Sequence, residues 1–310
     1  MKKDFLLSLI AKMYYVDNIN QSDIAKEFGI SPMMVSRSLD RAKKEGIVSF
    51  DIKTPHRINW NLGLQLKEKY PALREALVVM TEEKDDAREQ VGRVAAGYVQ
   101  ELLKKDSVLG ISWGKSILRF VEFLSEAGYP NIIVAQMSGS FLCVDAYQMI
   151  PSNLVKKASD QIGAVPMFLN TPMFVASREV RQSLMSDRLL QHLESLYDKM
   201  DITVYGLSDI DQMSTMQSVG VITPEEIEEL KRCGAIGDVM GYFINEDGDI
   251  VKWSKSDCYM GASLKTAARA SHAVCLATGA KKRRIVDIAL RRSYMNTLIV
   301  SYDLAVELLQ

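Results

Sequence analysis

Histidine and cysteine are scarce in this chain, and the few present are scattered. Three histidines and four cysteines are spread over 310 residues. Cys143, Cys233, Cys258 and Cys275 show no CxxC spacing, and His56, His192 and His272 lie far apart, so nothing reads as a metal site. The cysteines are expected to be reduced and to serve as small buried hydrophobes. Long apolar runs are also missing. No stretch approaches the roughly 20 residues a bilayer span requires, and the opening MKKDFLLSLIAKMYY is broken by charge and lacks a small-residue cleavage site. A cytoplasmic protein with no membrane partner is expected. Neither sign of charge dominates: 38 Lys and Arg against 39 Asp and Glu leave −1, so overall charge points to no polyanionic partner.

What the chain does have is ordinary globular composition, 47% hydrophobic and 25% charged, at a length beyond one small core. One small and one large domain are expected. The charge is uneven. Residues 1–60 carry ten Lys/Arg against seven Asp/Glu, a balance of +3; the remainder carries 28 (38 − 10) against 32 (39 − 7), a balance of −4. The basic excess sits at the front.

Leu6, Leu7, Ile10, Ala11 and Tyr14 recur at helical spacing and predict a first helix from about Asp4 to Val16. The following NINQSDIAKEFGISPMMVSRSLDRAKKEG holds two helical patterns with a very short break. Ile24, Ala25 and Phe28 form the inner face of a helix that stops at Gly29, the residue suited to a left-handed turn. Ser31 and Pro32, a hydroxyl N-cap before a first-turn proline, start the next, which runs through Val35, Leu39 and Ala42 to Gly46. Two helices so joined make a helix-turn-helix, whose second helix enters the DNA major groove. That helix would expose Met33, Ser36, Arg37, Asp40, Arg41 and Lys44, residue types that reach base edges and phosphates. After Gly46, the alternation in IVSFDI predicts a short strand and hence a winged variant.

Thr54 and Pro55 break the pattern, and Leu62, Leu64, Leu66 and Tyr70 begin a helical connector. Residues 1–55 are therefore read as the DNA-binding domain, 56–70 as the connector and 71–310 as an effector-binding and oligomerisation domain. In the last, apolar strands (EALVVM, SVLGIS, NIIVAQM, ITVYGL, HAVCLA, NTLIVS) alternate with amphipathic helices, which predicts a mostly parallel α/β sheet covered on both faces. Ligands bind such sheets beyond the carboxyl ends of the strands, where small residues let backbone amides approach an anion. Four places qualify: Gly110, Ser112, Trp113, Gly114, Lys115 and Ser116 in SVLGISWGKSI; Ser138, Gly139 and Ser140 after NIIVAQM; Gly237 and Asp238 in GAIGDVMGYFINEDGDI; and Thr278, Gly279 and Lys282 in HAVCLATGAKK. The first is not a P-loop, because both the glycine spacing and the lysine position differ.

The segment from Met13 to Ile52, with QSDIAKEFGIS and VSRSLDRAKKEGIV, resembles the DNA-binding domain of the SorC family of sugar-responsive transcriptional regulators. The resemblance implies DNA contacts by Gln21, Ser31, Ser36, Arg37 and Arg41. Residues 61–310 resemble the family's effector-binding domain, whose fold is that of ribose-5-phosphate isomerase and glucosamine-6-phosphate deaminase. The family's GxxWGxT, GAxGDxxGxFxDxxG and AGGxxK stand here as GISWGKS, GAIGDVMGYFINEDG and ATGAKK, with Ser116, Asn245 and Thr278 as departures. Val300-Ser301 replaces the usual TD, with Ser301 expected to cap the last helix, and Gly139-Ser140 replaces paired glycines. A phosphorylated sugar-like effector, operator DNA and a homo-oligomer, dimer or tetramer, are the partners implied. Two classes compete: a ligand-gated DNA-binding protein, and a sugar-phosphate enzyme with a DNA-binding head. Asp238 is the one carboxylate on a site motif, which suits hydroxyl recognition better than proton relay. Lys115, Lys281 and Lys282 either neutralise a phosphate or form a Schiff base with an aldehyde. A non-enzymatic sensor with neither cofactor nor metal is the expectation.

Overall fold

The structure, a computed structural model, describes residues 3–50, 58–81, 86–211 and 215–310. The chain divides into two compact units, Met1–Pro55 and His56–Gln310.

The small unit contains α1 (Lys3–Tyr15), α2 (Gln21–Phe28) and α3 (Pro32–Lys44). Each boundary has a local cause. The Asn20 side chain accepts the Asp23 amide at the start of α2, and Gly29 closes that helix with φ of 62°. Ser31 then accepts the Met34 amide, and Pro32 supplies the first helical φ. Ile10, Ala11, Ile24, Ala25, Val35, Leu39 and Ala42 are buried together, with alanine where bulk would force α2 and α3 apart. The expected wing strand does not form over Ile47–Phe50, which run as bend and irregular chain; Asp51 and Ile52 lie outside the described residues.

The large unit is a three-layer sandwich. Its helices are α4 (Trp60–Lys69), α5 (Ala87–Leu102), α6 (Lys115–Glu122), α7 (Pro151–Ile162), α8 (Arg178–Met185), α9 (Arg188–Tyr197), α10 (Thr215–Ser218), α11 (Pro224–Arg232), α12 (Leu264–Ala268), α13 (Arg283–Arg291) and α14 (Tyr302–Leu309). Its strands are β1 (Glu75–Val79), β2 (Val108–Ile111), β3 (Ile133–Gln136), β4 (Val165–Met167), β5 (Ile202–Asp209), β6 (Gly237–Val239), β7 (Tyr242–Ile244), β8 (His272–Ala277) and β9 (Thr297–Ser301). Seven strands pair in the order β1-β9-β8-β5-β2-β3-β4, every pairing parallel. A hairpin of β6 and β7 adds antiparallel to the end of β5, with Leu207 opposite Val239 and Asp209 opposite Gly237.

Period-two alternation sorts the sheet's side chains into two cores. Ala273, Cys275 and Ala277 of β8 join α4, α9, α12, α13 and α14 on one face, while Val274 and Leu276 join α5, α6, α7 and α11 on the other. The helix read as a connector packs on the large unit: Leu66 and Tyr70 are buried in the first of these cores, and only Leu64 of its apolar set is exposed. Tyr70 Oη donates to Asp287 Oδ1 at 2.6 Å, tying the end of α4 to α13.

Chain direction locates the functional end. From β2 the chain moves outward to β3 and β4, and from β5 it moves the other way to β8 and β9. Adjacent β2 and β5 therefore send their connections apart, leaving a crevice at their carboxyl ends.

The Ser31 cap is testable in isolation, since among the described residues its hydroxyl bonds only the Met34 amide. Ser31→Ala should lower the stability of the small unit by about 1 kcal/mol, the usual worth of an N-cap. Chemical denaturation followed by a probe in that unit checks this, and an unchanged midpoint would show that Pro32 alone sets the helix start.

Candidate functional site

A cavity of about 120 Å³ occupies this crevice, room for several waters or one small polar molecule. Ser112–Ser116 bound it after β2, Gly206–Asp209 at the end of β5, Asp238, Met240 and Gly241 around the hairpin, Arg88 from α5, and Lys282 just before α13.

The first wall is built by a helix start. Gly114 is the N-cap of α6 with φ of 115°, a conformation that favours glycine, and it offers no side chain to the first amides. Among the described residues no side chain caps α6, so its N-terminal amides and dipole face the crevice. Trp113 is buried at the cavity edge with its ring against Phe141, and Ser112 is held by its amide's bond to the Val204 carbonyl. Lys115 is exposed at the rim.

The second wall carries buried charge. Asp238 is 7% exposed; Gly241 donates its amide to Oδ2 at 3.0 Å. Burial pushes this carboxyl up from 3.8 to about 6, against the pull of the Gly241 amide, Lys282 and the Ser208 hydroxyl. Asp209, also buried, accepts the Asp211 amide on Oδ1 at 2.9 Å. Lys282 Nζ donates to the Leu207 carbonyl at 2.7 Å. Loss of water lowers the pKa of Lys282, as does nearby Arg88, while Cys275, Asp238 and Asp209 oppose the change. Cys275 lies behind Lys282, its thiol raised to about 12 by burial, and so stays protonated near neutral pH.

Of the residues expected to form the site, Ser112, Trp113, Gly114, Lys115, Ser116, Asp238 and Lys282 line the cavity. Gly110, Ser138, Gly139, Ser140, Gly237, Thr278 and Gly279 do not, and packing explains why. A Cβ on Gly110 would come within 2.3 Å of Met200 Sδ, one on Gly139 within 2.4 Å of the Pro172 carbonyl oxygen, and one on Gly237 within 2.2 Å of the Ser208 carbonyl oxygen. Gly139 and Gly237 let backbone approach backbone, and Gly110 makes room for the Met200 and Met137 side chains. Ser138 and Ser140 bridge to Gly261 and Pro172. Thr278 is buried, and the expected anion-binding amides of its turn are already taken: Gly279 donates to Ser301 Oγ at 3.1 Å and Ala280 to Asp303 Oδ2 at 2.9 Å. Ser301 thus stands at the N-cap of α14 without capping it through its side chain.

Sequence reasoning missed Arg88, Ser208 and Asp209. The strand ITVYGL continues through Ser208 and Asp209, and a polar pair closing an apolar strand was the available signal. For Arg88 the signal was a cation in the first turn of a helix, where the dipole disfavours it.

On the small unit, Met33, Arg37 and Lys44 are exposed along α3, and Ser36 and Arg41 are half-buried there. Gln21 opens α2, half-buried. Arg41 Nε is paired with Glu45 Oε1 at 2.6 Å, and the Ser31 hydroxyl is committed to its cap. Among the described residues Arg37 and Lys44 have no ion pair.

A helix-turn-helix joined to a doubly wound sheet, with a charged cavity at its switch point, defines a ligand-binding domain carried on a DNA-binding fold. The family described as "Putative sugar-binding domain" matches residues 57–310. The chain belongs to this family, and its likeness to SorC-type regulators runs its full length. It is 25% identical over 299 residues to the deoxyribonucleoside regulator of Bacillus subtilis, covering 95% of this chain and 94% of that one. It is 24% identical over 309 residues to the sorbitol operon regulator of Klebsiella pneumoniae, covering 98% of each. The crystal structure of the full-length regulator SorC from Klebsiella pneumoniae superposes with a TM-score of 0.73 at 23% identity, covering both chains completely. Among the described residues no helix is long and apolar enough to cross a membrane, and no group of three or more His, Cys, Asp or Glu is placed to hold a metal ion.

The raised pKa of Asp238 sets a pH dependence. Its folded value, about 6, lies above the unfolded one, so the folded state holds the proton more tightly. Stability from this group is complete below about pH 4 and is lost as pH rises through 6, on the order of 2–3 kcal/mol for a shift of about two units. Asp238→Asn removes that titration. The stability of the variant relative to the parent should rise between pH 4 and 7 by this amount in urea denaturation; a flat difference would mean that the carboxyl titrates alike in both states.

Proposed function

We propose that this chain is a DNA-binding transcriptional regulator of a carbohydrate-metabolism operon, controlled by a phosphorylated sugar or related small metabolite. One observation carries the reading: the crevice places an uncapped helix start and Lys282 beside the buried carboxylates Asp238 and Asp209, in a chain whose other unit is a helix-turn-helix. Backbone amides and lysine suit a phosphate, and carboxylates suit hydroxyls, so the ligand lies with its anion toward α6 and its polyol toward β6. The α3 surface of Met33, Ser36, Arg37, Arg41 and Lys44, with Gln21 and Ser31 near its entry, faces operator DNA. Arg37 and Lys44 are the members free to do so without breaking an ion pair.

The relatives are named as regulators of deoxyribonucleoside and sorbitol genes, which favours a cytoplasmic sensor without catalysis. Two copies acting together would supply the paired half-sites that a single helix-turn-helix cannot read tightly. Asp209 and Asp238 line one cavity, so the competing enzyme reading has a direct test: steady turnover of any sugar phosphate above about 1 per second would establish it.

Arg37→Ala should abolish the specific footprint on the operator upstream of the protein's own operon while leaving weak salt-sensitive binding to random DNA. A footprint that survives intact removes Arg37 from the interface. For the ligand, a thermal-shift screen of sugar phosphates should find a compound that stabilises the protein by about 2.7 kcal/mol at 100 times its Kd. Lys282→Ala should weaken that compound by about 1.5–3 kcal/mol, the worth of a hydrogen bond to a charged group. Equal affinity in the variant, or an effector without an anionic group, would refute the phosphate assignment.

A further inference from the structure

We propose that Arg88 is a specificity-determining residue that grips the ligand's anionic group from α5, and that Gly92 is the residue that positions it. The inference rests on the anion reading of the cavity given above and adds a contact from an element that carries none of the expected site residues.

Arg88 lines the cavity from the first turn of α5. A cation there opposes the positive end of the helix dipole, and among the described residues this one has no carboxylate paired with it. Asp86, the N-cap of α5, accepts the backbone amide of Arg88 at 3.0 Å on Oδ1 and has Arg119 within 3.7 Å of Oδ2. The other arginines of this face are engaged: Arg93 pairs with Glu89 at 3.2 Å and lies 3.9 Å over the Phe123 ring, and Arg119 pairs with Glu122 at 2.8 Å. Among the described residues the Arg88 guanidinium alone of these three is unpaired, and its charge reaches half-buried Lys282 across the cavity. Two cations from separate helix starts thus converge on one space, where the carboxylates Asp238 and Asp209 act on Lys282.

Gly92 fixes the geometry. A Cβ there would meet Arg119 Cβ and carbonyl carbon at 2.7 Å and the Phe120 amide nitrogen at 2.9 Å, so α5 and α6 are in backbone contact at this level. The two helices follow parallel strands and lie on one face of the sheet. One turn toward their amino ends from this contact, Arg88 stands on α5 and Lys115 and Ser116 stand on α6. The guanidinium fork is therefore held beside the free amides after Gly114, an arrangement that takes a tetrahedral oxyanion on two sides. Its planar donors bind phosphate oxygens in pairs, which a lysine does not do.

Inorganic phosphate is the probe, titrated calorimetrically into the full chain at constant ionic strength set with sodium chloride. Arg88→Ala should weaken binding about tenfold or more, and Arg88→Lys should restore only part of the loss. Gly92→Ala should also weaken phosphate, with a thermal unfolding profile confirming that the domain is folded. Arg93→Ala, one turn further along the same helix, should leave phosphate affinity within about twofold. If Arg88→Ala binds phosphate like the parent while Lys115→Ala does not, the inference fails and the anion reading stands. A parent chain that does not bind phosphate overturns both.

Discussion

The parallel pairing of β2 with β5 is the constraint on which the rest of this molecule depends. Because the chain leaves these neighbours in opposite directions, no crossover covers the space above them, and the helix following β2 begins at its edge. The same pairing sets the hairpin, since β5 outruns β2 and uses its extra residues Leu207–Asp209 to pair with β6. Asp238 is thereby hung across the crevice from α6. Lys282 ties the far side, for its bond to the Leu207 carbonyl joins the turn before α13 to that strand extension.

Electrostatics follow from this convergence. Arg88, Lys115 and Lys282 gather beside an uncapped helix start, and Asp209 and Asp238 are the only acids lining the same cavity among the described residues. Three cations against two carboxylates leave +1, to which the helix amides add. The carboxylates relieve part of the repulsion between the cations, yet burial works against the ionisation of Asp238, as its raised pKa records. On the proposed reading, an anion at the α6 end relieves the first of these strains. It answers the surplus positive charge and leaves the carboxylates to neutral hydroxyls.

The sequence made the local features legible and left the tertiary ones hidden. The α2–α3 turn was readable because Asn20, Gly29, Ser31 and Pro32 act on backbone within a few residues of themselves. The Ser112–Ser116 loop and Asp238 were readable for a similar reason, as small or polar residues closing apolar strands. Glycine carried no such certainty. Gly114 serves the helix start, but Gly139 and Gly237 look alike in sequence and instead admit a neighbouring carbonyl. The turn at Thr278–Ala280 was misread because Ser301 and Asp303, more than 20 residues on, take its amides. Arg88 carried only a weak local signal, its place in a helix first turn, because its position over the cavity depends on the contact of Gly92 with α6.

That contact also bears on ligand selection. On the proposed reading, the cavity is asymmetric, with Arg88, Lys115 and the free amides along α5 and α6, and with the carboxylates and Lys282 along β5 and β6. A sugar with one phosphate satisfies both ends. A second phosphate at the opposite end would meet Asp238 and Asp209, where like charges in a buried setting repel by several kcal/mol. An unphosphorylated polyol would fill the carboxylate end yet leave Arg88, Lys115 and the α6 amides without an anion. Selectivity for a single anionic group at one end thus arises from what the site repels as much as from what it binds. The two carboxylates beside the cations supply that repulsion without any further residue.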